Sequence, residues 1–471
     1  MLPLPAGLAA EAPRDARAEL VAMLRLAAPL FAANLLQMGV YSIDVIFVAR
    51  LGTTELAAAT LGVYVYGVML FALIGLVGAA SPLIAAELGR RAHAVREVRR
   101  SFRMAMWLAV GLGALCMLLL ANGERFLLFA HQGPHVAERT GAFLDILLWA
   151  TIPALATGAM RVTASALGRP GWAMIVTGLG LCTGLLGNWL LVFGHAGFPA
   201  LGLEGSAIAS VATSTAMAVA FAIILVTDRH LRRYRLFGRW WRIERSRMAE
   251  IVRLGVPIAL TMTFEGALFS AAGFLMGLIG VTEVAAHAIA LQIAAIAFQV
   301  PFGVAQAATI RVGLAYGAGD HRWAARAGWC ALVVGTGFMA FTALLLVLMP
   351  RLFVGIYVDP DAAVNAALVP LAIQYLGVAA AFQLFDGAQA VAAGVLRGLQ
   401  DTRVPMLIAL LGYWVVGAGL AVALGFGLRW EGLGIWWGLA AGLAAVAGLL
   451  VWRWTARERL GLMPRRTLAS A

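Results

Sequence analysis

Long apolar stretches separated by short polar segments dominate the chain from residue 26 onward. A transmembrane helix needs about 20 consecutive, mostly apolar residues, and twelve stretches meet this requirement. Their apolar residues run on without the two-residue alternation of a membrane β-strand, so we expect helices. The pattern predicts an all-α integral membrane protein with twelve transmembrane helices. The predicted spans are 26–49, 56–83, 104–121, 142–166, 172–194, 203–227, 250–279, 284–309, 328–349, 368–396, 404–427 and 433–453.

The composition indicates the same class of protein. Apolar residues make up 62% of the 471 residues and charged residues 12%, with a mean hydropathy of +0.89. A soluble domain is on average about a quarter charged, so this chain has too little charge to cover a water-facing surface. A soluble enzyme, a disordered chain and a disulfide-rich secreted domain are therefore excluded. The three cysteines lie singly inside apolar runs, and their spacing predicts neither a metal nor a redox site.

The arginines predict how the chain is oriented in the membrane. The 35 basic residues, all of them arginine, exceed the 23 acidic ones and give a net charge of +12. They lie in short runs between apolar stretches, which is typical of membrane topology and not of nucleic-acid binding. Thirty fall on one side of the twelve spans and five on the other, so we expect a plasma (inner) membrane protein with both termini in the cytoplasm. The first 24 residues lack a signal-peptide pattern, and no cleavage is expected.

The chain repeats itself at a distance of 228 residues. From residue 26 to residue 93, 13 of 68 pairs are identical, among them Pro29 with Pro257 and Glu55 with Glu283. Six helices per half is an even number, so the halves share an orientation and are related by a pseudo-two-fold axis along the membrane normal. Such repeats are typical of secondary transporters that work by alternating access. The predicted parts are a cytoplasmic N-terminal tail (1–25), an N-terminal six-helix lobe (26–227), a basic cytoplasmic loop on lipid headgroups (228–249), a C-terminal six-helix lobe (250–453) and a cytoplasmic C-terminal tail (454–471).

Acidic residues inside the spans are the main candidates for function. A carboxylate in the hydrocarbon region is costly, so it is paired, protonated or functional. Glu265 in helix 7 and Asp386 in helix 10 are deep, whereas Asp44 is nearer the outer end of helix 1 and Asp145 is interfacial. A buried acid can exchange a proton, attract a cationic substrate or bind sodium, and one acid that does these in turn is the basis of antiport. We therefore predict an ion-coupling, cation-binding site at Glu265 and Asp386, with Asp44 as a third member.

Polar and aromatic residues near these acids are candidates for a substrate cavity. Gln37 stands in the first half where Glu265 stands in the second, so the halves differ in protonation chemistry. A helix–helix hydrogen bond or ordinary packing explains each single residue equally well, although an aromatic ring can also bind a lipophilic cation. No phosphate-binding loop, zinc motif or nucleophile elbow is present, so we expect neither an enzyme nor a cofactor beyond a proton or sodium ion. The candidates are Asn34, Gln37, Asn188, Phe264, Phe269, Gln292, Phe382 and Gln383.

Three stretches resemble the multidrug and toxic compound extrusion (MATE) family over nearly the full chain, and its NorM-like branch in particular. They are "APLFAANLLQMGVYSIDVIFVARLG", "VAAHAIALQIAAIAFQVPFGVAQAATIRVG" and "FDGAQAVAAGVLRGLQDTRVPM". The resemblance implies a V-shaped bundle of two six-helix lobes that exports lipophilic and cationic drugs and dyes in exchange for protons or sodium. It implies a coupling site with acids on helices 7 and 10, which match Glu265 and Asp386. It also implies an acid on helix 1, which matches Asp44.

The chain departs from the family pattern at two places. A tyrosine often precedes the helix-10 acid by one turn, and this chain has Phe382 there. One branch has an asparagine and an aspartate in helix 5, where this chain has Gly184 and Asn188, so the resemblance favours coupling in the C-terminal lobe.

Family members usually act as monomers, with small molecules and membrane lipids as partners. The alternatives are a lipid-linked sugar flippase of the same superfamily, an exporter of one narrow native metabolite, and a channel or receptor without ion coupling.

Overall fold

Helices make up the whole regular structure of the part of the chain that is described. The structure is a computed structural model, and it describes residues 15–90, 94–129 and 133–464. Within these ranges there is no β-strand. Twelve helical segments are long and apolar enough to cross a membrane, which confirms the predicted number and the all-α class.

In the first half of the chain, six spans are built from eight of the nine helices. Two of the spans consist of consecutive helices, α2 with α3 and α6 with α7. A short helix, α5, lies between the third and fourth spans. The helices are α1 (Ala16–Val48), α2 (Thr53–Gly78), α3 (Ala80–Arg90), α4 (Val95–Leu120), α5 (Gly123–Phe129), α6 (Pro134–Leu147), α7 (Thr151–Ala166), α8 (Gly171–Phe193) and α9 (Gly202–Thr227).

In the second half, six spans are built from seven of the eight helices, and the short α13 lies between two spans. Helix α11 ends at Ala318 and is followed by Gly319, which has a left-handed φ of 68°. The side chain of Asp320 then accepts the first-turn N–H of Trp323 at 2.9 Å. Glycine tolerates that backbone conformation and aspartate is a favoured N-cap, so the sequence specifies this sharp helix boundary. The helices are α10 (Arg245–Ile279), α11 (Val281–Ala318), α12 (His321–Leu348), α13 (Pro350–Val354), α14 (Leu368–Gly398), α15 (Arg403–Leu410), α16 (Gly419–Val422) and α17 (Glu431–Thr455).

The eleventh span is not a regular α-helix. Two π-helical segments, Leu411–Ala418 and Ala423–Gly427, flank α16. The span packs on α17 with glycines on both sides, and a Cβ added to Gly442 would lie 2.6 Å from the Cα of Gly417. The wider π turns therefore accompany an unusually close approach of two backbones. π-Helical turns are rare and often occur at functional sites.

Two helices begin earlier than the hydropathy pattern predicts. Helix α1 starts at Ala16 rather than at residue 26, and α10 starts at Arg245 rather than at residue 250. Both starts contain charged residues, which a search for apolar stretches excludes from a span. The predicted tail and inter-lobe loop are therefore partly helical.

The described chain forms two compact units. One unit is Ala32–Ala259, and the other joins the start of α1, up to Phe31, to the chain from Leu260 onward. The predicted lobe limits of 26–227 and 250–453 do not coincide with these boundaries, because the starts of α1 and α10 each pack with helices of the other sequence half. Within the first unit α8 packs on α9 and α4 on α7, and within the second α14 packs on α11, α12 and α17.

A fully buried ion pair holds the start of α1 inside the second unit. Both carboxylate oxygens of Glu19 accept hydrogen bonds from Arg311 of α11, at 2.8 Å from Nε and 2.6 Å from Nη2. Neither side chain is exposed. The indole Nε1 of Trp323 donates to Glu19 at 3.1 Å, and the Arg311 guanidinium lies 5.2 Å from the centre of the Trp323 ring system. The bidentate geometry and the cation–π contact are what such a pair needs in order to be tolerated away from water.

The start of α10 is held in the first unit by a buried arginine, whereas the start of α1 is held by a buried glutamate. Arg247, which is 228 residues after Glu19, is 7% exposed. Its Nε donates to Ser101 of α4 at 2.9 Å, and its Nη2 lies 3.4 Å from a carboxylate oxygen of Glu87 in α3. The two repeat-related helix starts therefore bury a glutamate in one case and an arginine in the other.

The basic segment between the halves is attached to α4. Arg100 and Arg103 form ion pairs with Glu244, and the indole Nε1 of Trp107 donates to the carbonyl of Trp240 at 3.0 Å. The Trp107 and Trp240 rings also stack, with centres 5.8 Å apart. These contacts lie within one compact unit and fix part of a segment that the sequence predicted to lie on lipid headgroups.

Candidate functional site

Glu265 and Asp386, the two predicted deep acids, are brought together around one glutamine. Gln389, three residues after Asp386 on α14, donates from Nε2 to Glu265 Oε1 at 2.9 Å and to Asp386 Oδ1 at 3.3 Å. Residues three apart share a helix face, which is why Asp386 and Gln389 both meet Glu265 of α10. The hydroxyl of Tyr413 donates to Gln389 Oε1 at 2.7 Å. These four side chains are named the acid-pair site.

Burial makes the acid-pair site chemically demanding. Asp386 is 4% exposed, Gln389 3% and Tyr413 0%, whereas Glu265 is partly buried. Two ionised carboxylates repel each other strongly in such surroundings. A shared proton or a bound cation relieves that repulsion, as in other buried carboxylate pairs. The arrangement is therefore suited to exchange one positive charge for another.

Tyr413 supplies a hydroxyl that the sequence did not place in this site. The hydroxyl missing at Phe382 enters instead from the first π-helical segment of the eleventh span. Phe382 is itself fully buried in an aromatic cluster, 5.9 Å from the ring of Phe269 and 5.6 Å from Trp436. Among the predicted cavity residues, Phe269 and Phe382 therefore contact each other.

Asp44, the third predicted acid, lies in a separate polar site of the other compact unit. Its Oδ1 accepts from Asn188 Nδ2 at 2.8 Å, and its Oδ2 accepts from the hydroxyl of Ser210. Asn188 is fully buried and also donates to the carbonyl of Gly184, one turn earlier on α8. The predicted residues Asp44 and Asn188 are thus direct partners, whereas Ser210 of α9 was not predicted.

The remaining polar candidates on α1 face a cation. Asn34, Gln37, Tyr41 and Asp44 follow one another at spacings of three and four, which places them along one face of the helix. Arg161 of α7 donates from Nη2 to Asn34 Oδ1 at 3.2 Å. Tyr41 is close enough to Arg161 for an electrostatic interaction. From the sequence, Arg161 is only one of the thirty arginines whose distribution predicts the orientation.

Three predicted residues do not join these sites. Gln383 is fully buried but accepts at Oε1 from Thr342 of α12 at 3.0 Å. Phe264 is partly buried, one residue from Glu265 in the chain. Gln292 is exposed, and its side chain makes no hydrogen bond within the described ranges.

The sequence contains little that indicates Tyr413 and Ser210, the two site residues that were not predicted. Tyr413 is the one hydroxyl residue in the eleventh predicted span, so a search for isolated polar residues finds it. Its contact with Gln389 depends on the π-helical turns, which no local sequence pattern predicts. Ser210 is one of several small hydroxyl residues in α9 and carries no such signal.

Over residues 15–90, 94–129 and 133–464, no group of three or more histidine, cysteine or acidic residues could hold a metal ion.

The fold and these sites define a polytopic helical membrane protein with carboxylates buried in its spans. The sequence model of the MatE family matches residues 29–190 and 257–423, and the chain belongs to that family. The "Probable multidrug resistance protein NorM" of Mesorhizobium japonicum is 46% identical, over 94% of this chain and 95% of that protein. The "Multidrug resistance protein NorM" of Burkholderia vietnamiensis is 39% identical, over 94% and 95%.

Solved structures are similar in fold. The crystal structure of the eukaryotic MATE transporter AtDTX14 superposes with a TM-score of 0.83 at 21% identity, covering 95% of this chain and 100% of that one. An outward-facing multidrug resistance MATE family transporter of the MOP superfamily gives 0.77 at 18% identity, covering 96% and 98%. At these identities the likeness shows the fold alone.

Proposed function

We propose that this protein is a multidrug efflux transporter that exports lipophilic and cationic compounds in exchange for protons or sodium. Relatives at 46% and 39% identity are named multidrug resistance proteins, which supports the substrate class. The observation that carries the proposal is the acid-pair site, where Gln389 joins Glu265 and Asp386. A pair of carboxylates within the spans that needs one positive charge is suited to exchange an ion for a cationic substrate.

The proposed cycle follows from that requirement. The acid-pair site binds either the coupling ion or a cationic substrate, because one positive charge relieves the repulsion between the two carboxylates. A substrate that arrives from the cytoplasm releases the ion, and an ion that arrives from outside releases the substrate. Gln389 keeps the carboxylates in register, and Tyr413 fixes the orientation of that amide. Alternating access then converts this competition into antiport.

The orientation and surroundings of the transporter belong to the same proposal. The excess of arginines on one side supports cytoplasmic termini in the plasma membrane. We propose that the monomer is the working unit, as the resemblance to the MATE family implies.

Ethidium efflux from a bacterial host without its own efflux pumps tests the function. The wild type should lower cell fluorescence when the membrane is energised, whereas Glu265→Gln and Asp386→Asn should behave like cells without the transporter. Asp145→Asn is the matched control, because Asp145 is an exposed acid in a spanning helix. Equal expression in the membrane is checked for each variant. Normal efflux by both acid-pair variants would refute the assigned site.

Reconstituted vesicles separate the two coupling ions. A pH gradient without sodium, or a sodium gradient at equal pH, is imposed across the vesicle membrane and dye movement is followed. Transport in one condition alone identifies the ion. Dye movement that needs neither gradient would contradict antiport and support an uncoupled channel.

A further inference from the structure

The basic segment between the halves, residues 228–244, is folded onto α4. Its aliphatic side chains turn inward, since Leu231 is 0% exposed and Leu236 is 2% exposed. The ring of Phe237 meets the ring of Phe102 of α4 edge-on, with 5.4 Å between their centres. Together with the tryptophan stack described above, these contacts give the segment an apolar inner side. The arginines of the segment are exposed on its outer side.

Three arginines come together where this segment meets α4. Arg99 of α4 donates from Nε to the carbonyl of Tyr234 at 3.0 Å. A Cβ added to Gly238 would lie 3.8 Å from Cδ and Nε of Arg99, so the arginine packs against that turn. Arg99 is also close enough to Arg235 and Arg239 for electrostatic repulsion. Arg99, Arg235 and Arg239 are named the arginine cluster.

No acidic side chain forms an ion pair with the arginine cluster in residues 15–90, 94–129 and 133–464. Two acids of the same region, Glu97 and Glu244, are engaged by Arg100 and Arg103. Like charges that packing holds together repel one another, and an anion bound among them relieves that repulsion. The cluster is therefore suited to bind an anionic group.

The backbone of the segment holds two members of the cluster in fixed places. Arg235 and Arg239 both have a left-handed φ, of 45° and 56°, which costs a residue other than glycine roughly 1–2 kcal/mol. The carbonyl of Arg235 accepts the N–H of Gly238 at 2.9 Å, and the carbonyl of Arg239 accepts the N–H of Arg242 at 3.1 Å. Two hydrogen-bonded turns therefore maintain the strained residues. Strain of this kind is often found where a protein binds a ligand.

Exposed apolar side chains beside the cluster indicate where the anion comes from. Trp241 is 79% exposed and Ile243 is 52% exposed. Tryptophan and arginine occur together at the membrane surface, where the indole lies among the headgroups and the arginines are attracted to anionic lipids. The third predicted span begins at residue 104, five residues after Arg99, a rise of about 7.5 Å along a helix. We therefore expect the cluster at the level of the headgroups.

We propose that the arginine cluster binds the phosphate of an anionic phospholipid, with Trp241 against the lipid next to its headgroup. The guanidinium groups supply positive charge and paired N–H donors, a geometry that matches phosphate oxygens. A zwitterionic lipid binds less well, because its ammonium group adds to the repulsion within the cluster. The bound lipid stabilises the fold of the segment on α4. This lipid site goes beyond the export function and does not depend on it.

Lipid titration of the purified full-length protein tests the site. Phosphatidylglycerol, which carries a net negative charge, or zwitterionic phosphatidylcholine is added to the protein in a neutral detergent. Native mass spectrometry counts the bound lipids, and the melting temperature measures their stabilising effect. The wild type should bind phosphatidylglycerol about tenfold more tightly, as one further ionic hydrogen bond allows, and should melt at a higher temperature with it.

Two double variants with the same change in net charge make the test specific. Arg235→Gln combined with Arg239→Gln should lose the preference for phosphatidylglycerol. Arg229→Gln combined with Arg232→Gln is the matched control and should keep it. Both control arginines are exposed in the same segment, and neither is among the charges that act on Arg99. Equal loss in the two double variants would show that the net charge of the segment attracts lipid, and it would overturn the site.

Stability in phosphatidylcholine separates the charge of the cluster from its packing. The protein with Arg235→Gln and Arg239→Gln should melt there at or above the wild-type temperature, because two of the three repelling charges are gone. A lower melting temperature in both lipids would show that the two arginines stabilise the segment by packing. That result would contradict the site, as would a wild type that does not distinguish the two lipids.

Inorganic phosphate separates a lipid site from a site for a soluble anion. It carries the same charged group without acyl chains, so it should raise the melting temperature of the wild type much less than phosphatidylglycerol does. Trp241→Ala should weaken the binding of phosphatidylglycerol and leave any effect of inorganic phosphate unchanged. Equal stabilisation by inorganic phosphate, lost in the protein with Arg235→Gln and Arg239→Gln, would assign the cluster to a soluble anion and overturn the lipid site.

Discussion

At the residue scale, the acid-pair site depends on one glutamine with every polar atom engaged. Gln389 gives both amide protons to carboxylates and accepts the hydroxyl of Tyr413. Isolated acids inside apolar spans were predictable from the sequence, and the structure brings Glu265 and Asp386 to the same amide. Tyr413 was not predictable, because its contact arises from helix geometry and not from spacing along the chain.

Removing the hydroxyl of Tyr413 should weaken ion binding. Tyr413→Phe leaves Gln389 Oε1 without its donor, and such a loss costs about 1–3 kcal/mol in a buried site. We expect a several-fold higher ion concentration for half-maximal dye transport in vesicles. Tyr375→Phe is the control, because the Tyr375 hydroxyl is buried with no hydrogen-bond partner in the described ranges. An equal effect of both variants would mean that Tyr413 acts by packing alone.

At the element scale, glycines specify the contact between the eleventh span and α17. Gly438 lies against the backbone of Ala421, and a Cβ added there would be 2.3 Å from its nitrogen. A hydropathy scan finds both spans but cannot distinguish a glycine at a close approach from a glycine facing lipid. The π-helical segments and the resulting position of Tyr413 were therefore beyond sequence reasoning.

Gly438→Ala should destabilise the protein, because the added methyl group meets backbone atoms that cannot turn away. We expect a loss of about 1–3 kcal/mol, typical of overpacking, seen as a lower melting temperature in detergent. Gly448→Ala in the same helix is the matched control, since a Cβ there meets nothing within 4 Å. It should be neutral or slightly stabilising, because alanine favours helix over glycine. Comparable melting temperatures for the two variants would contradict the close approach.

The buried ion pair at the start of α1 should also be sensitive to single changes. Glu19→Gln removes the carboxylate that neutralises Arg311, and breaking a buried pair in this way costs about 3–5 kcal/mol. Asp361→Asn is the control, because its pair with Arg351 is exposed and such pairs contribute about 1 kcal/mol or less. Thermal unfolding in detergent measures both. A melting temperature of Glu19→Gln equal to that of Asp361→Asn would argue against burial of the pair.

At the scale of the whole molecule, the sequence predicted the number of spans but not the division into units. Apolar length and arginine distribution are properties of each stretch alone, so a linear scan can detect them. The compact unit to which the start of α1 or α10 belongs depends on contacts between residues distant in sequence, such as Glu19 with Arg311. The repeat suggested two equal halves, and it did not indicate that each half contributes a helix start to the other unit.

Reporter fusions test the orientation. Green fluorescent protein fused after residue 471 should fluoresce, and alkaline phosphatase fused there should be inactive, because the arginine distribution puts that end in the cytoplasm. Alkaline phosphatase inserted after residue 360, between α13 and α14, should be active. The reverse pattern would invert the topology and the assignment of the cytoplasmic loops.

The opposite charges at Glu19 and Arg247 limit what a half-length version of this protein could be. Glu19 needs Arg311, and the first half has Leu83 at the equivalent position, 228 residues earlier. Two identical first halves would each bury a glutamate with no arginine to receive it. If the gene is split within the inter-lobe segment, the fragments should assemble as one of each kind. Neither half can therefore pair with a second copy of itself, because Glu19 and Arg247 each have their partner in the other half of the sequence.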